Sequence, residues 1–163
     1  MSRLLAIDPG NRESGWVVID VASRQSLAHG KGLNDNVLRS LQHAPIGDAE
    51  FAVIEMVASY GMAVGADVFE TCVWIGRFRQ ALMDRTGRLP DLVTRRPIKL
   101  HHCHSAKAND ANLRQALVDR FALGQPNHGK GTKADPGWFY GFRADIWQAY
   151  ALAVYAADIA EEV

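Results

Sequence analysis

The stretch from Leu4 to Asp20, LLAIDPGNRESGWVVID, reads as two strands joined by a tight turn, and the remainder of the chain has to be arranged around that hairpin. Leu4 to Ile7 is a short apolar run suited to a strand buried on both faces. Trp16 to Ile19 is a second run, rich in the branched and aromatic residues that strands favour. Pro9-Gly10 marks the turn between them. Asp8 therefore stands at the end of a buried strand, where a carboxylate is costly unless a cation, hydrogen bonds or a proton accompanies it. Three roles are open to it: an Asx-type cap of the turn, part of a nucleotide phosphate hairpin of the actin and sugar-kinase type, or a metal-binding acid of a nuclease. The turn does not choose among them, so the choice falls to other acids and basic groups further along.

A chain of 163 residues, 48% hydrophobic and 22% charged, suits a single globular domain spanning 1–163. That length argues against the kinase role, whose fold pairs two such domains across a cleft. No apolar run approaches the ~18 to 20 residues of a membrane span, and the chain enters its first strand directly, so a cytoplasmic protein without membrane contact is expected. Cys72 in an expected helix and Cys103 in an expected loop are not expected to form a disulfide in that compartment. Net charge is zero but unevenly spread: from Arg95 to Lys133 eight Lys or Arg (95, 96, 99, 107, 114, 120, 130 and 133) face two acids, Asp110 and Asp119. A basic segment beside separate acids suits a nuclease, with cations on the phosphate backbone and carboxylates on metal ions.

Gln25 to Gly30 predicts a third, antiparallel strand, and Asn34-Asp35-Asn36 offers N-caps for a helix through Gln42. Phe51 to Ile54 repeats the first strand's pattern, four apolar residues and then an acid, Glu55. If the two strands are neighbours, Asp8 and Glu55 lie side by side at their carboxyl ends. A glycine-containing loop with Tyr60 leads into a long helix, about Ala66 to Arg85, whose apolar surface is broader than one sheet-facing stripe requires. Leu92 to Thr94 predicts a short strand, His101-His102-Cys103-His104 a loop, and 108–123 a helix. Gly124 to Gly137, which holds Lys130 and Lys133, predicts a loop that binds a partner or is disordered. The last helix, Ala144 to Ala160, carries Asp145 in its first turn, and its many alanines let it lie close over the sheet. Taken alone, Asp145 reads as a helix-dipole acid.

The order strand-Asp, strand-Glu, helix-Asp, with the first acid inside Ile-Asp-Pro-Gly, resembles the RuvC-type Holliday junction resolvases of the RNase H-like superfamily. Val53-Ile54-Glu55 looks like that family's strand-borne Glu. Arg96-Pro97-Ile98-Lys99 and Ser105-Ala106-Lys107 look like its lysine-bearing segment, and Ala144 to Ala153 is similar to its terminal helix. Lys130 to Gly141 looks most like phage or prophage-encoded members. One departure stands out: where the family has two acids three apart on the last helix, this chain has Asp145 and Gln148.

The resemblance implies a mixed five-stranded α/β sheet with helices on both faces. It also implies hydrolysis of branched DNA, such as a four-way junction, by two Mg2+ or Mn2+ ions roughly 4 Å apart. Asp8 would bridge the ions, Glu55 and Asp145 would complete their shells, and Gln148 would offer a weaker, neutral oxygen. Lys107, with Lys130 or Lys133, would meet the scissile phosphate, Arg95, Arg96 and Lys99 the DNA backbone, and Tyr60 an unpaired base. A homodimer is expected, since two symmetric nicks need two sites. Two other classes stay open: a catalytically weak junction-binding protein, should Gln148 remove the second ion, and a nucleotide phosphotransferase, for which the chain offers no second phosphate hairpin. The histidine run matches no structural zinc spacing and is expected instead to add positive charge beside DNA at slightly acidic pH.

Overall fold

The computed structural model describes residues 1–162. Strands β1 (Arg3–Asp8), β2 (Glu13–Asp20) and β3 (Ser26–Leu33) form an antiparallel meander. Helix α1 (Asn34–Leu41) and a 3-10 turn at Ile46–Asp48 lead to β4 (Phe51–Met56), helix α2 (Ala66–Thr86) and β5 (Asp91–Thr94). Helices α3 (Arg95–Cys103), α4 (Asp110–Phe121) and α5 (Asp145–Glu161) complete the chain. The sheet order is β3-β2-β1-β4-β5, with β4 parallel to both β1 and β5. This is the mixed five-stranded arrangement, with helices on both faces, that the sequence leads one to expect.

β1 sits at the centre of the sheet and is buried on both sides, which explains its unbroken apolar run. Its alternate side chains feed two cores. Leu5 and Ile7 join Val18 and Ile54 beneath α1 and α2, where Trp74, Ile75, Phe78 and Leu82 cover them. Leu4 and Ala6 join Val17, Ile19 and Val53 beneath α5. Helix α5 is apolar all round because it lies in the middle layer, between the sheet and α3, α4 and the loop before it. Ala149, Ala151 and Ala153 are fully buried there. Gly87, at φ +73, ends α2 in the left-handed conformation that a residue without Cβ adopts at least strain. No helix among the described residues is long and apolar enough to cross a membrane.

Three local expectations are corrected. The Asn34 side chain does not cap α1; it is buried inside the hairpin, where its amide donates to the Gly10 carbonyl (2.9 Å) and its oxygen accepts from the Ser14 hydroxyl (2.6 Å). The Ser14 hydroxyl in turn accepts from the Gly10 N–H (3.2 Å), so Ser14 and Asn34 close the turn and Asp8 is free of that duty. The histidine run, with Cys103, belongs to α3 rather than to a loop. Pro97 falls in that helix's first turn, where no N–H is needed, and His104 ends it at φ +58.

On this helix His102 donates to the Ala151 carbonyl (2.8 Å), and burial pushes its pKa down to about 4; His101 is bonded to Asp158 (2.7 Å). Both imidazoles fasten α3 to α5 instead of facing outward toward DNA. The 124–137 segment is ordered by a Gly131–Pro136 bridge, and just beyond it Phe139 and Phe142 insert against Trp147 and Tyr150.

Candidate active site

Ile7 pairs with Ile54 across the parallel β1–β4 ladder, so the residues that follow them, Asp8 and Glu55, end the two strands side by side. By the two-residue alternation of a strand, Asp8 shares the face of Leu4 and Ala6, and Glu55 that of Val53. That is the face covered by α5. Asp8 is cross-strand partner to Gly15, and a Cβ placed on Gly15 would lie 2.7 Å from the Asp145 carbonyl carbon and 2.8 Å from its Cβ. The missing side chain at position 15 is thus what lets the start of α5 settle onto β2, next to Asp8. Gly15→Ala should force α5 off the strand, with a loss of about 1–3 kcal/mol in thermal unfolding; a variant melting with the wild type would contradict this account.

The acids repel one another in a poorly solvated place. Asp8 is only 7% exposed. Burial raises its pKa well above the ordinary carboxylate value, the charges of Glu55, Asp145 and Asp110 add to the rise, and Arg95 opposes it. Glu55 is also raised by burial, with Asp110 adding to the rise, while Arg95 and a hydrogen bond with Asp8 counter it. The Arg95 guanidinium lies among three of these acids. It stands 3.1 Å from Glu55, 3.9 Å from Asp8 and 3.4 Å from Asp110. Burial alone would lower its pKa; Glu55, Asp8 and Asp110 outweigh that and raise it. Asp145 turns a carboxylate oxygen to the Lys31 ammonium at 2.9 Å, and this bond holds Lys31 in its charged form against desolvation.

Of the residues expected at the site, Asp8, Glu55 and Asp145 share one electrostatic neighbourhood. Among the described residues, however, no three His, Cys, Asp or Glu side chains stand close enough to grip a single ion as placed. Arg95, expected on the DNA backbone, is engaged by the acids instead. The donor set does fit a hard divalent cation: it offers carboxylate and amide oxygens, with no thiolate or imidazole, around a buried acid in need of a counter-charge. Asp8, Glu55 and Asp145 are the residues that would hold such an ion. Gln148, one helical turn beyond Asp145, is buried and lines a cavity of ≈ 220 Å³ with Asp110, Arg114 and Asp145.

Glu55 also opens onto a cavity of ≈ 460 Å³, whose wall holds Tyr60, Arg95, Arg96 and Lys99. Tyr60 is 61% exposed, at φ +50 in the loop before α2. The three remaining lysines lie elsewhere. Lys107 is exposed on a separate cavity with Ser105 and Asn112, and Lys130 and Lys133 make no ion pair with the acids among the described residues. The cations that do meet the acids include Lys31, and Asp110 joins the acids; neither is among the site residues expected from the sequence. The only signal for Lys31 was its pairing opposite Gly15, which requires the β2–β3 register to be known.

No family model matches this chain, and no curated protein does. Among solved structures it is similar to RuvC of Thermus thermophilus, at a TM-score of 0.69 and 14% identity over 98% of this chain and 96% of that one. It is similar as well to T. thermophilus RuvC in complex with a Holliday junction substrate, at a TM-score of 0.70 and 13% identity over 99% of this chain and 96% of that one. Together with the strand order, these matches establish that the chain has the RuvC-type, RNase H-like fold.

Proposed function

We infer that this protein, acting as one nuclease domain, is a divalent-metal-dependent endonuclease that cuts branched DNA such as a four-way junction. The observation that carries this reading is the convergence of Asp8 and Glu55 at adjacent parallel strand ends with the start of α5 beside them, in a RuvC-type fold. Mg2+ or Mn2+, two ions to a site, would supply an activated water and a counter-charge for the leaving 3' oxygen. Asp8, Glu55 and Asp145 are the residues that would hold those ions. Arg95 and Lys31 hold the acids' charge in the protein alone. Arg95 leads into the cavity wall with Arg96 and Lys99, where a guanidinium released from the acids would meet phosphate oxygens. Tyr60, exposed on the same wall, is assigned to stack on an unpaired base. Lys107, Lys130 and Lys133 are assigned to the backbone of the DNA arms, away from the acids.

The protein is proposed to act as a homodimer through α2. Phe69 and Val73 are 62% and 55% exposed and one helical turn apart, an apolar strip on the helix's outer face. Phe69→Glu is expected to shift the protein to monomer in sedimentation without lowering its melting temperature; an unchanged association state would remove α2 from the interface.

The decisive experiment is a synthetic four-way junction incubated with wild type and Asp8→Asn in Mg2+ and in Mn2+. Cutting by wild type alone, leaving 5' phosphates, supports the nuclease. A second reading, a junction-binding protein with weak or no catalysis, is favoured by Gln148 standing where an acid is expected and by the cations already engaging the acids. Tight junction binding with no cutting in either metal would decide for it.

A further inference from the structure

Asp110 opens α4 without being needed to cap it. Asn109 fills that role: its side chain accepts from the Asn112 N–H (2.8 Å), and Asn112 reciprocates to the Asn109 N–H (3.0 Å). The Asp110 carboxylate points instead to Arg95, and through it to the Glu55 and Asp8 pair. It also lines the cavity of ≈ 220 Å³ that Asp145, Arg114 and Gln148 share. Gln148 is the independent sign of a ligand there. It is 93% buried, being 7% exposed, and its side-chain amide makes no hydrogen bond to another residue among the described residues. No fully buried polar side-chain atom among those residues is left without a partner, so the Gln148 amide must reach the open space of that cavity. An amide without a protein partner that opens into a cavity lined by two carboxylates is an oxygen donor available to a cation or to a water held by one.

We propose that Asp110 supplies the carboxylate that position 148 lacks, so that Asp110, Asp145 and the Gln148 amide oxygen form a second divalent-cation position next to Asp8 and Glu55. This deepens the metal-dependent reading above and rests on it. The fourth acid has in effect moved from the last helix to the start of α4, which the fold brings to the wall of the same cavity. A neutral oxygen at 148 is then tolerable, because the negative charge near the ion is restored from across the gap.

The test is Mn2+ binding to the full chain, read by calorimetry and by the electron paramagnetic resonance signal of free Mn2+. The proteins are wild type, Asp8→Asn, Asp110→Asn, and Asp110→Asn combined with Gln148→Asp. Melting temperatures report folding, and Asp110 is exposed enough for its variant to fold. Wild type is expected to bind two ions and Asp110→Asn to hold the second about 10–100-fold more weakly. Gln148→Asp in the same chain is expected to restore the lost affinity. Unchanged stoichiometry and affinity in Asp110→Asn, with Asp8→Asn releasing ions, would overturn this assignment while leaving the metal-dependent nuclease standing. Wild type that binds no Mn2+ would overturn both.

Discussion

Asp8→Asn is expected to melt higher than the wild-type protein at pH 7 and, if the protein is a nuclease, to cut a four-way junction at least about a hundredfold more slowly. The two effects share one cause. Asp8 is buried beside Glu55, with Asp145 and Asp110 also repelling its charge, and Arg95 compensates only in part. A carboxylate whose pKa is raised on folding contributes stability below its unfolded value of about 3.9, and that contribution is lost as pH rises through the folded value. Asparagine keeps the shape without the charge. The gain in the variant should therefore be absent near pH 3 and grow toward neutrality, reaching about 1–2 kcal/mol, or about 2–4 °C per kcal/mol in melting temperature. Melting curves of both proteins from pH 3 to 8 check this. A variant that melts lower at pH 7 would mean that Arg95 holds the Asp8 anion more firmly than burial and repulsion oppose it.

Asp158→Ala is expected to be the most destabilising of the substitutions considered, by about 3–5 kcal/mol. Asp158 lies on α5 and gathers two guanidinium cations, Arg24 at 2.9 Å and Arg120 at 2.6 Å, together with the His101 imidazole at 2.7 Å. Its side chain is 11% exposed and that of Arg24 7%, so removing the carboxylate strands a buried guanidinium whose other acid, Glu161, lies mostly in water. The pH dependence runs opposite to that of Asp8. Burial alone would raise the Asp158 pKa, but the bonds from Arg120, His101 and Arg24 outweigh it and hold the carboxyl well below its ordinary range. Its contribution is present above the unfolded value of about 3.9 and lost as pH falls through the folded one. Chemical unfolding of wild type and variant at pH 7 and pH 3 measures the difference. A loss under about 1 kcal/mol at pH 7 would mean that the network only balances its desolvation cost.

The two predictions separate the ends of α5. At its start, acids crowd around Asp8 and Arg95 offsets them only in part; near its end, Asp158 is over-matched by Arg24 and Arg120. Stability is concentrated at the second place and withheld at the first.

Much of the framework was legible in the residues themselves. Apolar runs of four ending in an acid marked β1 and β4, and the alanines of α5 marked a helix able to lie close over a sheet, because burial patterns of strands and helices are written in local periodicity. The histidine run reads as a loop because it has no apolar period of its own; its helix is held by Ile98 beneath it and by bonds from His101 and His102 to α5, partners that are distant in sequence. Asn34 misled for a similar reason, since its buried partners are 20 and 24 residues away.

The sequence by itself determined that Asp8 and Glu55 end buried strands and that Asp145 begins a helix, since hydrophobic alternation and helix-start chemistry act between near neighbours along the chain. Only the tertiary structure decided which charges face those acids. The order β2-β1-β4-β5 sets Arg95 among Asp8, Glu55 and Asp110, and the register of β3 sets Lys31 against Asp145. Coulomb energies depend on separation through space, and the separations come from strand order and register, which no single segment encodes.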